Sequence, residues 1–155
     1  MANSTHEVLL EHGFIPSHPL KARKALSLSE QGKRYRLDIS GTKQTVAYQV
    51  DGNIIVSGRK CDKLVLVRLD SASEEWAQIL VELKGGGVEH ALEQLIATAK
   101  NPMLEHPTNV VRRARVVATS FPANKANPNV EKLKLQLLQM GIDYKGLKSD
   151  QPDGI

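Results

Sequence analysis

The sequence predicts an α/β fold, a single domain in which a central mixed β-sheet is flanked by helices. Apolar runs typical of strands occupy the first half of the chain as far as Leu83. From Val88 the apolar residues recur at every third or fourth position, which is the period of an amphipathic helix. One more strand-like run and one more helical stretch follow, and 155 residues suit one compact domain.

The strands are predicted from period-two alternation or from short, continuous apolar runs between turn signals. The run Leu64-Val65-Leu66-Val67 predicts a strand buried on both faces. Gly41 provides turn chemistry, and Asp51-Gly52 is a strong hairpin signal. The predicted strands are Lys33–Ile39, Thr45–Val50, Asn53–Ser57, Asp62–Leu69, Trp76–Leu83 and Arg112–Phe121.

The helices are predicted from apolar stripes and from the residues that end them. Asn101-Pro102 ends the stripe that begins at Val88, and Gly141 ends the stripe that begins near Pro128. A short helix is expected at residues 6–12, before Gly13 and Pro16.

The two ends of the chain are expected to add little to the domain, which spans residues 1–155. Residues 1–20 are interpreted as a short N-terminal extension, followed by a basic helix or loop at 19–25. Residues 146–155 are polar, and we expect a frayed C-terminal tail there.

The composition excludes several classes of protein. Only six aromatic residues are present, which argues against a nucleic-acid binder built on stacked aromatic rings. The single cysteine, Cys61, excludes an intramolecular disulfide, and the five histidines show no zinc-ligand spacing with it. The first twenty residues resemble neither a signal peptide nor a membrane span, so we expect a soluble, cytoplasmic protein without membrane contact.

Basic residues are concentrated in two stretches, although the net charge is only +4. Between Lys100 and Lys148 there are nine Lys or Arg against three acids. Such stretches suit phosphate backbones, and a solvated surface is an equally good reading for any single member. The second cluster, near the N-terminus, consists of Lys21, Arg23, Lys24, Lys33, Arg34 and Arg36.

The strongest candidate for chemistry is Glu82-Leu83-Lys84, at the end of an apolar strand. Side chains two apart share a face of a strand, so Glu82 and Lys84 would point together while Leu83 points into the core. Asp62 opens the preceding strand, and a loop between adjacent strands would bring it beside Glu82. Two carboxylates that close favour a cation between them. A second acid-x-Lys triplet, Asp143-Tyr144-Lys145, has no predicted strand around it.

Asp62, then Glu82-Leu83-Lys84 in an apolar strand, then glycines and a helix, resembles the core of the PD-(D/E)XK nucleases over residues 30–120. Arg59-Lys60-Cys61-Asp62 lacks the proline of that motif. The resemblance implies a restriction-endonuclease-like core and a Mg²⁺-dependent endonuclease that hydrolyses phosphodiester bonds, with Mn²⁺ as a substitute. It assigns the metal to Asp62, Glu82 and the Leu83 carbonyl, and the positioning of water to Lys84.

Further site residues follow from the same resemblance, each with a plainer alternative. Glu30 is the only acid placed to match the family's acid on the first helix, and the alternative is helix-end polarity. Gln94 matches a glutamine found in some branches, where it would bind phosphate or orient Lys84, and His90 lies on the same helix side. A solvated helix flank explains Gln94 and His90 equally simply.

Phosphate contacts are predicted for a set of basic and glycine residues that would hold nucleic acid without reading bases. Gly85 and Gly86 would let a backbone approach closely, or they simply turn the chain. Cys61 is not expected to act as a nucleophile, because it would alternate away from Asp62 into the core. The remaining predicted contacts are Lys33, Arg34, Arg112 and Arg113, together with His90.

The leading hypothesis is therefore a nuclease, most readily a DNA endonuclease. The first alternative is a non-catalytic nucleic-acid-binding or accessory subunit of a defence or mobile-element system that keeps the fold. The second is a hydrolase of nucleotides. A homodimer or a larger complex is expected, since enzymes of this type need two sites to cut both strands. Leu135, Leu138 and Gln139 of the last helix are candidates for its interface.

Overall fold

The computed structural model describes residues 2–58, 60–70, 72–83, 87–119, 121 and 127–155. Within these ranges the chain forms one mixed sheet of seven strands flanked by three α-helices, which confirms the predicted fold class. A short 3₁₀ turn, Pro102–Leu104, is the remaining helical element there. The elements are α1 (Thr5–Glu11), β1 (His18–Glu30), β2 (Lys33–Gln49), β3 (Lys63–Asp70), β4 (Glu75–Leu83), α2 (Val88–Ala99), β5 (Asn109–Ala118), α3 (Pro128–Gln139), β6 (Ile142–Lys148) and β7 (Pro152–Gly154).

The sheet runs in the order β1-β2-β3-β4-β5-β6. The pairs β1–β2, β2–β3 and β3–β4 are antiparallel, whereas the pairs β4–β5 and β5–β6 are parallel. Parallel neighbours need a long crossover connection, and α2 and α3 lie in the two connections concerned. β7 pairs in parallel with the first half of β2.

The hairpin of β1 and β2 is folded so that its outer half covers one face of the sheet. Gln31 and Gly32 form its two-residue turn, with φ of 51° and 75°, the left-handed values that such a turn requires. Strand pairing is interrupted opposite Gly41, whose φ is 68°. Beyond this point Leu28 and Leu37 pack in one hydrophobic cluster with the sheet residues.

Two hydrophobic cores result, one on each face of the sheet. Leu64 and Leu66 belong to the core beneath the helices, and Val65 and Val67 belong to the core beneath the hairpin. All four side chains are completely buried, which confirms that this strand is buried on both faces.

Three predictions about the first half of the chain were wrong. Residues 19–25, expected as a helix or loop, belong to β1. Lys33–Ile39 and Thr45–Val50 do lie in strand, as predicted, but the turn expected at Gly41 is wrong: both belong mostly to one long strand, β2, because the chain passes Gly41 without turning back. Residues 53–57 do not form a strand, and an isolated bridge joins Asp51 to Ile55.

Both ends of the chain are part of the fold. Residues 146–155, expected as a frayed tail, complete β6 and form β7, and Asp143-Tyr144-Lys145 lies within β6. At the N-terminus α1 confirms the expected helix, and its Leu9 is completely buried in the helix-side core. The predicted N-terminal extension therefore docks on the domain.

A buried ion pair fastens β7 to the domain. Asp153 Oδ2 accepts hydrogen bonds from Arg115 Nε at 2.8 Å and from the Tyr35 hydroxyl at 2.7 Å. All three side chains are nearly inaccessible. Burial, with the charge of Asp153 next in size, raises the pKa of Tyr35 well above its usual range. Removing the carboxylate would leave a buried guanidinium without this partner.

We expect Asp153→Ala to lower the free energy of unfolding by about 3 kcal/mol or more, the usual cost of breaking a buried ion pair. Asp150→Asn is the control, because Asp150 pairs with Arg34 at 3.3 Å on the surface and asparagine tolerates its backbone φ of 67°. It should cost less than about 1 kcal/mol. Urea denaturation measures the free energy of unfolding of both variants. Equal decreases would contradict the stabilising role assigned to the buried ion pair.

Candidate active site

Asp62 connects three strands at one end of the sheet. It stands directly before β3, its amide donates to the Val81 carbonyl at 3.1 Å, and its carbonyl accepts from the Val50 amide at 3.0 Å. Its carboxylate accepts a hydrogen bond from the Leu83 amide at 2.8 Å. The side chain is only 4% exposed. Asp62 therefore reaches the end of β4, beside Glu82.

Glu82 is completely buried within β4. Val81 and Leu83, its neighbours in the strand, face the hairpin-side core, while Leu80 faces the helix-side core. Because side chains alternate along a strand, Glu82 points to the helix side. The lysine predicted to share that face, Lys84, lies outside the described residues, as do Gly85 and Gly86.

Glu30 reaches the same end of the sheet from the tip of the hairpin. It ends β1, not a helix as the resemblance implied, and it is partly exposed. Its carboxyl is within hydrogen-bonding reach of Asp62. Burial is the largest cause of its raised pKa, followed by the negative charge of Asp62, while Lys63 lowers that pKa. Two carboxyls in contact require a proton or a cation between them.

The helix α2 approaches this cluster through two polar residues. The Thr98 hydroxyl accepts from the Cys61 amide at 2.8 Å and donates to the Gln94 carbonyl at 2.9 Å. The Gln94 side chain is 8% exposed, and its Oε1 has no hydrogen-bond partner in the described structure. His90 is exposed one turn earlier. The two predicted helix residues therefore differ, and only Gln94 faces inward.

Cys61 is completely buried, as predicted from its alternation with Asp62. Burial is the main reason that the pKa of its thiol is raised well beyond the usual range, and the charges of Glu82 and Asp62 raise it further. Such a thiol remains protonated at neutral pH and is a poor nucleophile.

Two of the arginines predicted to contact phosphate, Arg112 and Arg113, instead donate hydrogen bonds to groups within the protein. Arg112 donates to Gln78 Oε1 at 2.8 Å and to the Ala99 carbonyl at 2.9 Å, and burial lowers its pKa. Arg113 donates to the Gly154 carbonyl at 2.7 Å. A sequence does not reveal such partners, and this geometry argues against a phosphate role for either arginine.

The lysine and arginine of the hairpin tip are different. Lys33 is the cross-strand partner of Glu30 and is partly exposed. Arg34 follows it and is exposed, with Asp150 as a surface ion-pair partner. Both residues remain available as phosphate contacts.

Sequence reasoning missed two residues near Glu30. Lys63 directly follows Asp62, and its amine donates to the Gln49 side chain. Asp51 raises the pKa of Glu30 and pairs with Lys60 at 3.8 Å. The only available signal was the position of Lys63 beside Asp62 in the sequence.

The donor set suits a hard divalent cation only in part. Among the described residues, no three His, Cys, Asp or Glu side chains lie close enough together to hold a metal ion. Mg²⁺, however, usually takes only one or two protein carboxylates and keeps several waters. Glu30 and Asp62 provide such a pair, and Gln94 Oε1 is a buried oxygen without a partner in the described part of the chain.

A cavity of about 380 Å³ lies elsewhere, and its lining includes Lys43, Arg68 and Asp70. Asp70 ends β3 and Asp62 precedes it, so the cavity lies at the opposite end of that strand from the carboxylates.

Comparison of the chain with protein-family models, with curated proteins and with solved structures gives no match. In the described ranges, every helix is too short or too polar to traverse a bilayer.

We expect Glu30→Gln to stabilise the fold at neutral pH. The folded pKa of Glu30 is raised, so the folded state binds its proton more tightly and wild-type stability falls as the pH rises above the unfolded value. A glutamine keeps a hydrogen-bond donor toward Asp62 and carries no charge. The advantage should vanish below about pH 4, where the unfolded glutamate is also protonated.

Thermal unfolding in EDTA across this pH range measures the effect. Glu11→Gln is the control, because Glu11 is exposed at the end of α1. An advantage that is independent of pH would contradict the contact between Glu30 and Asp62.

Proposed function

We propose that this chain is a Mg²⁺-dependent nuclease, most readily a DNA endonuclease, with Mn²⁺ able to substitute. The observation that carries the proposal is the contact of Glu30, at the end of β1, with Asp62, which precedes β3 and accepts a hydrogen bond from the end of β4 next to Glu82. Burying acidic groups together costs free energy unless a proton or a cation compensates them. A site that retains such a cost is a candidate for function.

Asp62 would hold the metal together with one other acid, Glu82 or Glu30, and with the Leu83 carbonyl as a further oxygen ligand, because no three acidic side chains of the described residues lie close enough to share one ion. A bound Mg²⁺ neutralises charge on the phosphoryl group and makes a bound water easier to deprotonate. Asp62 also has a positioning role, since its bond to the Leu83 amide fixes the end of β4. The partly exposed Glu30 marks the side from which a phosphate would enter.

Lys84 would orient the attacking water and stabilise negative charge as the phosphodiester bond breaks. Gln94 would orient Lys84 or bind a phosphate through its amide. Around them, Lys33, Arg34, Gly85, Gly86 and His90 remain proposed contacts to the nucleic-acid backbone.

Cutting both strands of a duplex requires two such sites. We therefore propose a homodimer or a larger complex. Leu135 and Leu138 of α3 are 52% and 69% exposed, which is compatible with a covered surface in an assembly.

The tightly closed site favours a second candidate, a nucleic-acid-binding or accessory subunit that does no chemistry. Glu82 is completely buried and Asp62 is only 4% exposed. In such a subunit the carboxylates would share a proton and would not exchange it for a metal.

We expect cleavage of plasmid DNA to fall at least about 100-fold in Asp62→Asn, the range typical of a lost catalytic group. Asparagine still offers an oxygen to the Leu83 amide, whereas alanine would leave a buried N–H unpaired at a cost of about 1–3 kcal/mol. Glu82→Gln should behave like Asp62→Asn. Lys84→Ala should be equally inactive.

Lys145→Ala is the control for Lys84→Ala, because Lys145 belongs to the other acid-x-Lys triplet and is exposed on β6. It should cut like the wild type. If purified Asp62→Asn or Lys84→Ala protein cuts as fast as the wild type, the nuclease assignment fails. Hydrolysis of mononucleotides, measured beside cleavage of the plasmid, distinguishes a nucleotide hydrolase from a nuclease.

Calorimetric titration with Mg²⁺ near neutral pH distinguishes the enzyme from the binding subunit. We expect one site in the wild type and its loss in Asp62→Asn, because the substitution removes a charged oxygen ligand. Proton release, measured in two buffers, should accompany binding, since Glu30 carries a raised pKa and a bound cation would displace its proton. A wild type without any site would favour the binding subunit.

A further inference from the structure

We infer that the β1–β2 hairpin is the surface that holds the substrate, and that this substrate is double-stranded nucleic acid bound through its phosphates. The inference rests on the proposed nuclease function and adds to it the surface that would bind the duplex. Three observations carry it: the charge of the hairpin, the exposure of four of its basic side chains and the lack of a fully exposed aromatic ring among the described residues.

Positive charge is concentrated in the hairpin. Residues 18–49 contain seven Lys or Arg against two acids, a net charge of +5 in a chain whose total is +4. In the segment of residues 50–99, which carries Asp62 and Glu82, five basic residues face eight acids. A polyanion is therefore attracted to the hairpin more than to the segment that carries Asp62 and Glu82.

The other basic stretch, from Lys100 to Lys148, is less suited to this role. Its three arginines, Arg112, Arg113 and Arg115, donate to groups within the protein. Its described lysines are distributed over the end of α2, over α3 and over β6. The hairpin, by contrast, carries its charges on one continuous element.

Four of the hairpin's basic side chains are exposed. Arg34 and Arg36 lie opposite Ser29 and Ser27, on the face that alternates with the buried leucines. They pair with Asp150 and Asp38 at 3.3 and 3.2 Å, but surface pairs of this kind are weak and can yield to phosphate. The other two are Lys21 and Lys24, farther along β1.

The spacing of these charges fits a polymer. Lys21 and Ser29, which is paired with Arg34, are eight residues apart, so β1 can span up to roughly 26 Å between them. A mononucleotide could reach only a small part of this length. A duplex presents phosphates along its whole length.

The aromatic residues favour a duplex over a single strand. All six lie in the described part of the chain, and none of them is exposed. Proteins that hold single strands without sequence preference stack bases on exposed rings. This chain offers no such ring, whereas a duplex backbone needs only positive charge.

The hairpin also links binding to the candidate site. Its tip carries Glu30, which contacts Asp62, and Lys33 beside it. A duplex lying along the hairpin would therefore bring phosphates to the carboxylates.

The test uses fluorescence anisotropy in EDTA, so that binding is measured without cleavage. The probes are a labelled duplex several helical turns long and its labelled single strand. We expect the wild type to bind the duplex more tightly. In the variant Lys21→Gln/Lys24→Gln/Arg34→Gln/Arg36→Gln, the slope of log K against log salt should fall by about 0.9 for each lost phosphate contact, about 3 to 4 in all.

The control variant, Lys100→Gln/Lys132→Gln/Lys134→Gln/Lys145→Gln, removes the same charge outside the hairpin. Its slope should differ from the wild-type slope by no more than about 0.9, the value of one phosphate contact. The inference is overturned if the slope falls equally in both variants or falls more in the control. It is also overturned if the wild type binds the single strand more tightly than the duplex, or if it binds the polyanion heparin but not the duplex.

Lysine acetylation of the wild-type protein gives a second readout that does not depend on variants folding. Bound duplex should protect Lys21 and Lys24, as measured by mass spectrometry, and should leave Lys132 and Lys145 reactive. The reverse pattern overturns the inference. A protein that binds duplex through the hairpin but never cuts it would refute the nuclease proposal alone.

Discussion

The packing of the β1–β2 hairpin against the sheet is the contact on which the candidate site depends. Leu28 and Leu37 of the hairpin share a buried cluster with Ile79 and Val81 of the sheet. Burying several such side chains stabilises the arrangement by about 1.5–3 kcal/mol each. This apolar gain holds Glu30 against Asp62 despite their repulsion. Without it, Glu30 would lie at the end of a free hairpin, far from the sheet.

Elements whose signals are local could be predicted from the sequence. The bounds of α2 agree with its apolar stripe and with the Asn101-Pro102 that follows it. β7 could not be found in this way, because its stability comes from pairing with β2 and from the contact of Asp153 with Arg115, about forty residues away in sequence. β1 was missed for a related reason: several of its residues are basic and exposed, so no apolar alternation marks its first half.

The candidate site was predictable where it follows from neighbouring strands. Asp62 lies beside the end of β4 because a short loop joins β3 to β4, and the loop was visible in the sequence. Glu30 was expected on a helix but ends β1, since nothing local shows that the hairpin folds over the sheet. Arg112 was assigned to phosphate because a sequence shows a charge without showing its partners. Which groups a buried side chain contacts depends on the tertiary structure, so the sequence alone does not show it.

The separation of charge in the fold resolves an apparent conflict in the proposed chemistry. Carboxylates that bind a metal also repel the phosphates that must approach it. The segment carrying Asp62 and Glu82 has an excess of three acids, so it would not attract a polyanion by itself. The hairpin supplies the opposite charge on exposed side chains, and its tip ends at the carboxylates. One element thus brings Glu30 to Asp62 and also counteracts the repulsion between the carboxylates and an approaching phosphate.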